Sequence, residues 1–145
     1  TILAQLQQEM LSRHTKEVMS YKDFLRQLVS YRATRADQVL EKIDALPEGD
    51  ALCHGDWHPG NILMSNTGKH IIIDFMNVCY GPWQYDVARS YFLLSKGSLP
   101  EEMVGRERLK VQQKQLGTYY LEKMCVQYNE IAEFLEVIWL CRAYE

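Results

Sequence analysis

The sequence of 145 residues lacks any apolar run near the roughly 18 residues that a membrane-spanning helix needs, so we expect no membrane partner. It also lacks an excess of basic residues, because 16 Lys and Arg stand against 19 Asp and Glu and give a net charge of -3. That balance argues against sequence-independent binding of nucleic acid, which requires a basic surface. No signal peptide is present, residue 1 is Thr rather than Met, and the last residues continue an apolar periodic stretch. We therefore expect the numbering to begin inside a longer protein.

Cysteine is scarce and scattered. The four cysteines, Cys53, Cys79, Cys125 and Cys141, form no C-x-x-C pair. An apolar fraction of 47% supplies a core that needs no disulfide bonds to support it. We therefore interpret the cysteines as buried free thiols from a reducing compartment, which predicts a cytoplasmic location.

Apolar residues recur at three- and four-residue spacing over most of the chain, which predicts helices. The first helical stretch includes Met10, and the second runs from about Lys22 to Leu46, with a bend near 31–36. Later helices are broken at 97–100 and again near Tyr128, where Asn129 is a candidate N-cap. The apolar positions that define the second stretch are Leu25, Val29, Ala33, Ala36, Leu40 and Ile43.

The middle of the chain has a different pattern, with short apolar runs of strand length. Runs at 51–54, 61–64 and 70–75 are present, and residues 65–69 between the last two have the composition of a hairpin turn. We therefore predict an α+β fold that is mainly α, with a short β hairpin.

The densest polar cluster, CHGDWHPGN, lies at 53–61 between two of these runs. Such a loop is costly in a core because its polar groups all need partners, but it suits the mouth of a site. A hairpin would return Asp74, at the end of the strand at 71–73, to the neighbourhood of this loop. Asp56, Asn61 and Asp74 would then offer hard oxygen ligands, which suit Mg²⁺ together with substrate phosphates.

Three segments carry a family resemblance. Residues 54–61 (HGDWHPGN) resemble the H-G-D-x-H-x-x-N catalytic loop of aminoglycoside phosphotransferases and their choline kinase-like relatives. Residues 73–75 (IDF) resemble the family's metal-binding I-D-[FW] segment, and residues 81–88 (GPWQYDVA) resemble its G-x-x-x-x-D-[LV]-A segment. The resemblance implies that residues 1–145 form the C-terminal lobe of a protein-kinase-like fold. It also implies ATP-dependent phosphoryl transfer to a hydroxyl of a small-molecule acceptor.

The resemblance further implies a role for each matching residue. Asp56 would take the proton of the acceptor hydroxyl as general base. Asn61 and Asp74 would hold Mg²⁺ against the phosphates of ATP or another nucleoside triphosphate. His54 would brace the loop, and Asp86 would start a helix beneath it and accept backbone N–H bonds.

Other interpretations of the loop stay open. Trp57 and His58 are candidates to line the acceptor pocket, although an aromatic residue at a loop edge more often only packs. The Asp and Asn side chains of the loop could merely satisfy its own turns. Cys53, His54 and His58 could instead form a zinc site.

One part of the family pattern is missing. The family's N-terminal lobe carries a phosphate-covering loop and a strand Lys, and neither is recognisable before residue 49. A lobe without them has the base and the metal ligands but not the whole ATP cleft, so we expect this chain alone to be inactive. Its uncovered face, with Ile62, Met64 and residues 71–75, predicts self-association. The alternative is a non-catalytic kinase-like module that binds a ligand or a partner.

Two charged stripes lie on the predicted C-terminal helices. Arg106, Lys110 and Lys114 are four residues apart, and glutamates occupy positions 130, 133 and 136. The acidic stripe could bind a polyamine sugar, but a solvated helix face is the favoured interpretation of both stripes.

Overall fold

The computed structural model describes residues 1–30 and 36–142, which contain six α-helices, four short strands and one turn of 3₁₀-helix. No helix in these parts of the chain combines the length and the apolar character that a bilayer crossing requires. The order of elements is α1 (Ile2–Leu11), α2 (Tyr21–Ser30), α3 (Ala36–Ala45), β1 (Ala51–Cys53), the 3₁₀ turn (Pro59–Asn61), β2 (Ile62–Met64), β3 (His70–Ile72), β4 (Cys79–Gly81), α4 (Trp83–Lys96), α5 (Arg106–Met124) and α6 (Tyr128–Arg142).

The helical stretch predicted from Lys22 to Leu46 forms two helices, α2 and α3, which pack against each other. Arg26 on α2 reaches Asp44 on α3, with 2.6 Å between Nη2 and Oδ1. A continuous helix would separate these residues by about 27 Å, so the chain reverses direction between α2 and α3. Positions 31–35 of the predicted bend, with Ala33, lie outside the described residues, and Ala36 begins α3.

The predicted hairpin is formed by β2 and β3, which pair antiparallel with Ile62 opposite Ile72. Gly68 in its turn has φ +79°, a left-handed conformation that glycine adopts without steric cost. The strand ends at Ile72 rather than at Phe75, so the prediction of its length was too long. The sequence pattern also missed β4, which pairs antiparallel with β1 and sets Cys79 opposite Cys53. This second pair of strands leads directly into α4.

The C-terminal half packs three helices together, with α5 and α6 both against α4. The break near Tyr128 is confirmed, but the N-cap is Gln127 rather than Asn129, since the Gln127 N–H donates to Glu130 Oε2 at 2.7 Å. All four cysteines are free, and Cys53, Cys79 and Cys141 are buried as predicted. The prediction of burial is wrong for Cys125, which is exposed at the left-handed position that ends α5. The largest fully buried side chains are Trp57, Tyr21, Tyr85, Phe134, Leu25, Ile43, Ile131 and Ile138.

Candidate active site

The loop between β1 and β2 is fixed at Gly55, which has φ +79°. A Cβ atom at this position would lie 2.4 Å from the carbonyl oxygen of Asn77, so no larger residue fits without displacing backbone. The Gly55 N–H donates to Asp86 Oδ1 at 2.7 Å, and the Gly55 carbonyl accepts from Arg89 Nε at 3.1 Å. One turn of α4 therefore binds both the N–H and the carbonyl of Gly55, the residue directly before Asp56.

Asp86 is fully buried near the start of α4. Its Oδ2 accepts a hydrogen bond from Gln7 Nε2 at 2.9 Å, in addition to the Gly55 bond on Oδ1. Burial raises the pKa of Asp86, and the hydrogen bonds from Gln7 and Gly55 act in the opposite direction. These donors therefore offset part of the cost of holding a carboxylate under the loop.

Sequence reasoning missed Gln7, which extends the anchor to two more helices. Gln7 Nε2 also donates to Ser90 Oγ at 2.9 Å, and Gln7 Oε1 accepts from the Tyr120 hydroxyl at 2.7 Å. A hydrogen-bonded path therefore runs from Tyr120 on α5 through Gln7 on α1 and Asp86 on α4 to the loop. The available signal was a glutamine on the apolar stripe of α1, one turn after Ala4, where an unpaired amide would be costly.

His54 is buried beside the loop and bonds at both ring nitrogens. Its Nε2 lies 3.0 Å from the Ile73 carbonyl oxygen, and the Asp56 N–H donates to its Nδ1 at 3.3 Å. This arrangement fits a neutral imidazole with its proton on Nε2. The ring packs between Trp57 and Phe75. His54 thus ties the loop at 54–61 to the segment that carries Asp74.

Asp56 and Asn61 are in direct contact. Asn61 Nδ2 donates to the Asp56 carbonyl at 2.9 Å and to Asp56 Oδ2 at 3.1 Å. These bonds use the amide nitrogen and leave Asn61 Oδ1 without a donor among the described residues. Oδ1 of Asp56 has no donor among them either, and about a quarter of the Asp56 side chain is exposed (27%). His58 lies beside this pair, with its Nε2 3.6 Å from Asp56 Oδ2.

Asp74 follows β3 and reaches the same region through the backbone. The Ile73 N–H donates to the Asn61 carbonyl at 3.0 Å, which sets the residue before Asp74 against the end of the loop. Asp74 has φ +62°, a conformation that Asp tolerates better than most residues. Its side chain is exposed and forms no hydrogen bond or ion pair with the described residues. The carboxylate is therefore free to bind an ion or a ligand.

Two of the alternative interpretations do not agree with the structure. Trp57 is fully buried and its Nε1 donates to the Leu3 carbonyl at 3.2 Å, so it packs beneath the loop and offers no surface to an acceptor. Among the described residues, no group of three or more His, Cys, Asp or Glu side chains could hold a metal ion. Cys53 is also buried, with its Sγ beside the carbonyls of Ala51 and Pro82. Both findings argue against the zinc hypothesis.

The surface next to Asp74 is unusually apolar. Met64 on β2 is 69% exposed, and Ile71, Phe75 and Met76 are also exposed, whereas Ile62 is half-buried. A hairpin with one solvated face normally presents polar side chains there. Met64 lies on one face of the hairpin, and Ile71 lies on the other face beside its strand partner Leu63. Exposed apolar side chains on both faces are typical of surfaces that contact another part of a protein or another chain.

Comparison with known proteins agrees with this geometry. The model of the phosphotransferase enzyme family (APH) matches residues 5–118, a range that contains the loop, Asp74 and the Asp86 anchor. The chain belongs to the phosphotransferase enzyme family. The resemblance found in the three motifs is thereby confirmed. No curated protein matches the chain.

The fold is also confirmed. Among solved structures, the chain resembles amicoumacin kinase hAmiN in complex with AMP-PNP, Ca²⁺ and Ami, with a TM-score of 0.55 and 18% sequence identity. The likeness covers 98% of this chain and 48% of the kinase chain, so the chain spans about half the length of that kinase. At this identity the comparison shows the fold, which is the predicted kinase-like lobe.

Proposed function

We propose that residues 1–145 form the C-terminal catalytic lobe of a kinase that transfers a phosphoryl group from ATP, or another nucleoside triphosphate, to a hydroxyl of a small molecule. The observation that carries the proposal is the contact between Asp56 and Asn61, on a loop that Asp86 and Arg89 clamp at Gly55. Membership of the phosphotransferase family supports the reaction class. The free cysteines agree with a cytoplasmic site of action.

The residues at the site fit a bound Mg²⁺ ion. Asn61 Oδ1 has no donor among the described residues, and the exposed Asp74 carboxylate has no partner among them. An amide oxygen and a carboxylate are the hard donors that Mg²⁺ takes together with phosphate oxygens and water. Asn61 and Asp74 would hold the ion, which when bound would neutralise charge on the nucleotide phosphates.

The protein's own residues would act on the acceptor. Asn61 donates to Oδ2 of Asp56 and so fixes the plane of this carboxylate. Oδ1 of Asp56 is then free to accept the proton of the acceptor hydroxyl while the hydroxyl oxygen attacks phosphorus. His58, next to Oδ2 and partly exposed, would contact an acceptor bound at Asp56. Since the loop is held by buried bonds, Asp56 needs little reorganisation before the reaction.

The test of the proposal is Asp56→Asn in the complete enzyme, assayed with ATP and a panel of hydroxylated metabolites and antibiotics. The substitution keeps the size of the side chain and removes the base, so kcat should fall by about 10²- to 10⁴-fold. Nucleotide affinity should stay unchanged. Asp37→Asn, at an exposed position on α3, is the matched control and should keep full activity.

A variant kcat within about threefold of the unmodified enzyme would show that Asp56 is not the base. The alternative, a non-catalytic kinase-like module, predicts that no acceptor in the panel is phosphorylated even when both lobes are present.

A further inference from the structure

A cavity separate from the candidate active site lies at the far end of α4. Its volume is about 620 Å³, within the range of small-molecule sites in proteins. The last turns of α4, the connection to α5, one face of α5 and one side chain of α6 surround it. Ser95, at its wall, lies about 14 Å along the helix axis from Asp86. The cavity and the catalytic loop therefore occupy opposite ends of α4.

Positive charge is concentrated at this cavity. Lys96, Arg106, Lys110 and Lys114 line it, whereas the whole chain has a net charge of -3. The acidic residue in the lining is Glu107, and it pairs with Lys110 at 3.0 Å. None of the described residues forms an ion pair with the other three cations. An excess of three positive charges thus lines one open cavity.

Arg106 gives the strongest indication of a ligand. Its Nε atom is buried and has no hydrogen-bond partner among the described residues. Because this atom has almost no accessible surface, a ligand in the cavity would meet the terminal nitrogens of the guanidinium rather than Nε. Arg106 forms no ion pair with the described residues, so its positive charge remains available to an anionic group in the cavity.

Aromatic and aliphatic side chains also line the cavity. Trp139 is 61% exposed, and it is held edge-to-face against Phe92 with 5.6 Å between ring centroids. Tyr91 and Leu99 also line the cavity. A large exposed indole beside unpaired cations is the combination that binds a flat apolar body carrying a negative charge.

We propose that this cavity binds an organic anion with a flat apolar body and a carboxylate, sulfonate or phosphate ester group. Arg106, assisted by Lys96 and Lys114, takes the anionic group, and Trp139 contacts the apolar body. The basic stripe on α5, for which a solvated face was favoured from the sequence, is one wall of this site. The site does not depend on the proposed phosphoryl transfer, because it shares no residue with the catalytic loop.

The test uses naphthalenesulfonate as the probe, with neutral naphthol and inorganic phosphate as comparison ligands, in calorimetric titrations of the protein. We expect saturable binding of the sulfonate at one site and much weaker binding of each comparison ligand. Arg106→Gln and Lys114→Gln should each weaken sulfonate binding about tenfold, since each removes a charged donor. Arg108→Gln is the matched control, because Arg108 is exposed on the same turn of α5 and does not line the cavity.

The proposal would be overturned if Arg106→Gln and Lys114→Gln bound the sulfonate as tightly as the unmodified protein does. It would also be overturned by equal affinity for naphthol and the sulfonate, or by the absence of saturable sulfonate binding at millimolar concentration. Circular dichroism melting of each variant shows whether it is folded. If Arg106→Gln unfolds, Lys114→Gln, on an exposed side chain, carries the test alone. Because the assay measures sulfonate binding, a negative result would not bear on the proposed kinase activity. A negative result in the kinase assay would likewise not bear on this cavity.

Discussion

Replacing Gln7 by Leu tests whether the buried hydrogen-bond path holds the catalytic loop. The substitution replaces the polar amide by an apolar side chain of similar size and removes three hydrogen bonds, to Asp86, to Ser90 and from Tyr120. The bond to the charged carboxylate is worth about 1.5–3 kcal/mol and each neutral bond about 1 kcal/mol. The free energy of unfolding should therefore fall by roughly 3.5–5 kcal/mol, a large part of the stability of an ordinary domain.

The loss of unfolding free energy in Gln7→Leu should depend on pH, because it changes the pKa of Asp86. Burial already raises the pKa of Asp86 in the folded state, and losing the Gln7 bond should raise it further. A carboxyl with a raised pKa destabilises the fold when it is charged. This cost is absent below the ordinary Asp value of 3.8 and is complete above the folded-state pKa. The Leu variant should therefore lose more stability at neutral pH than in acid.

Urea unfolding near pH 7 and at about pH 4 measures both effects. Gln8→Leu is the matched control, because Gln8 is exposed on the same helix and its Nε2 makes a single long bond of 3.3 Å to the Met124 carbonyl. That variant should stay within about 0.5 kcal/mol of the unmodified protein. A Gln7→Leu deficit below about 1 kcal/mol, or one equal at both pH values, would refute the role given to Gln7 and the charge assigned to Asp86.

Two further predictions concern metal binding and the apolar hairpin. In the complete enzyme, Asp74→Asn should abolish Mg²⁺-dependent ATP binding in calorimetry, and Asn tolerates the left-handed backbone at this position as Asp does. Asn61→Ala should weaken ATP binding less, because a neutral amide is a poorer metal ligand than a carboxylate. Unchanged ATP affinity in Asp74→Asn would exclude its role as a metal ligand. Residues 1–145 alone should self-associate in light scattering and show no kinase turnover. The double variant Met64→Ser/Met76→Ser should raise the monomer fraction, whereas the control Met103→Ser should not. A strictly monomeric, active chain would contradict both expectations.

Local features of the candidate site were predictable from the sequence. The hairpin turn at 65–69 depends on residues near one another in the chain, and the structure forms it where it was expected. The loop at 54–61 also lies where it was expected, although Asp86 and Arg89 on α4 hold it at Gly55. The contact between Asp56 and Asn61 is of the same local kind. The pattern failed where pairing was distant, since β4 is only three residues long and is defined by its partner β1 rather than by its own sequence.

The sequence by itself determined which residues are candidates for the chemistry, because their order and spacing within 54–61 and 73–75 are a local property of the chain. Only the tertiary structure decided what surrounds them. Gln7 meets Asp86 across 79 residues and Tyr120 across 113. The basic face of α5 borders a cavity with Trp139 because α4, α5 and α6 pack together. Helical periodicity shows which side chains share a face, but burial, charge and partners at that face depend on the distant segment that packs there.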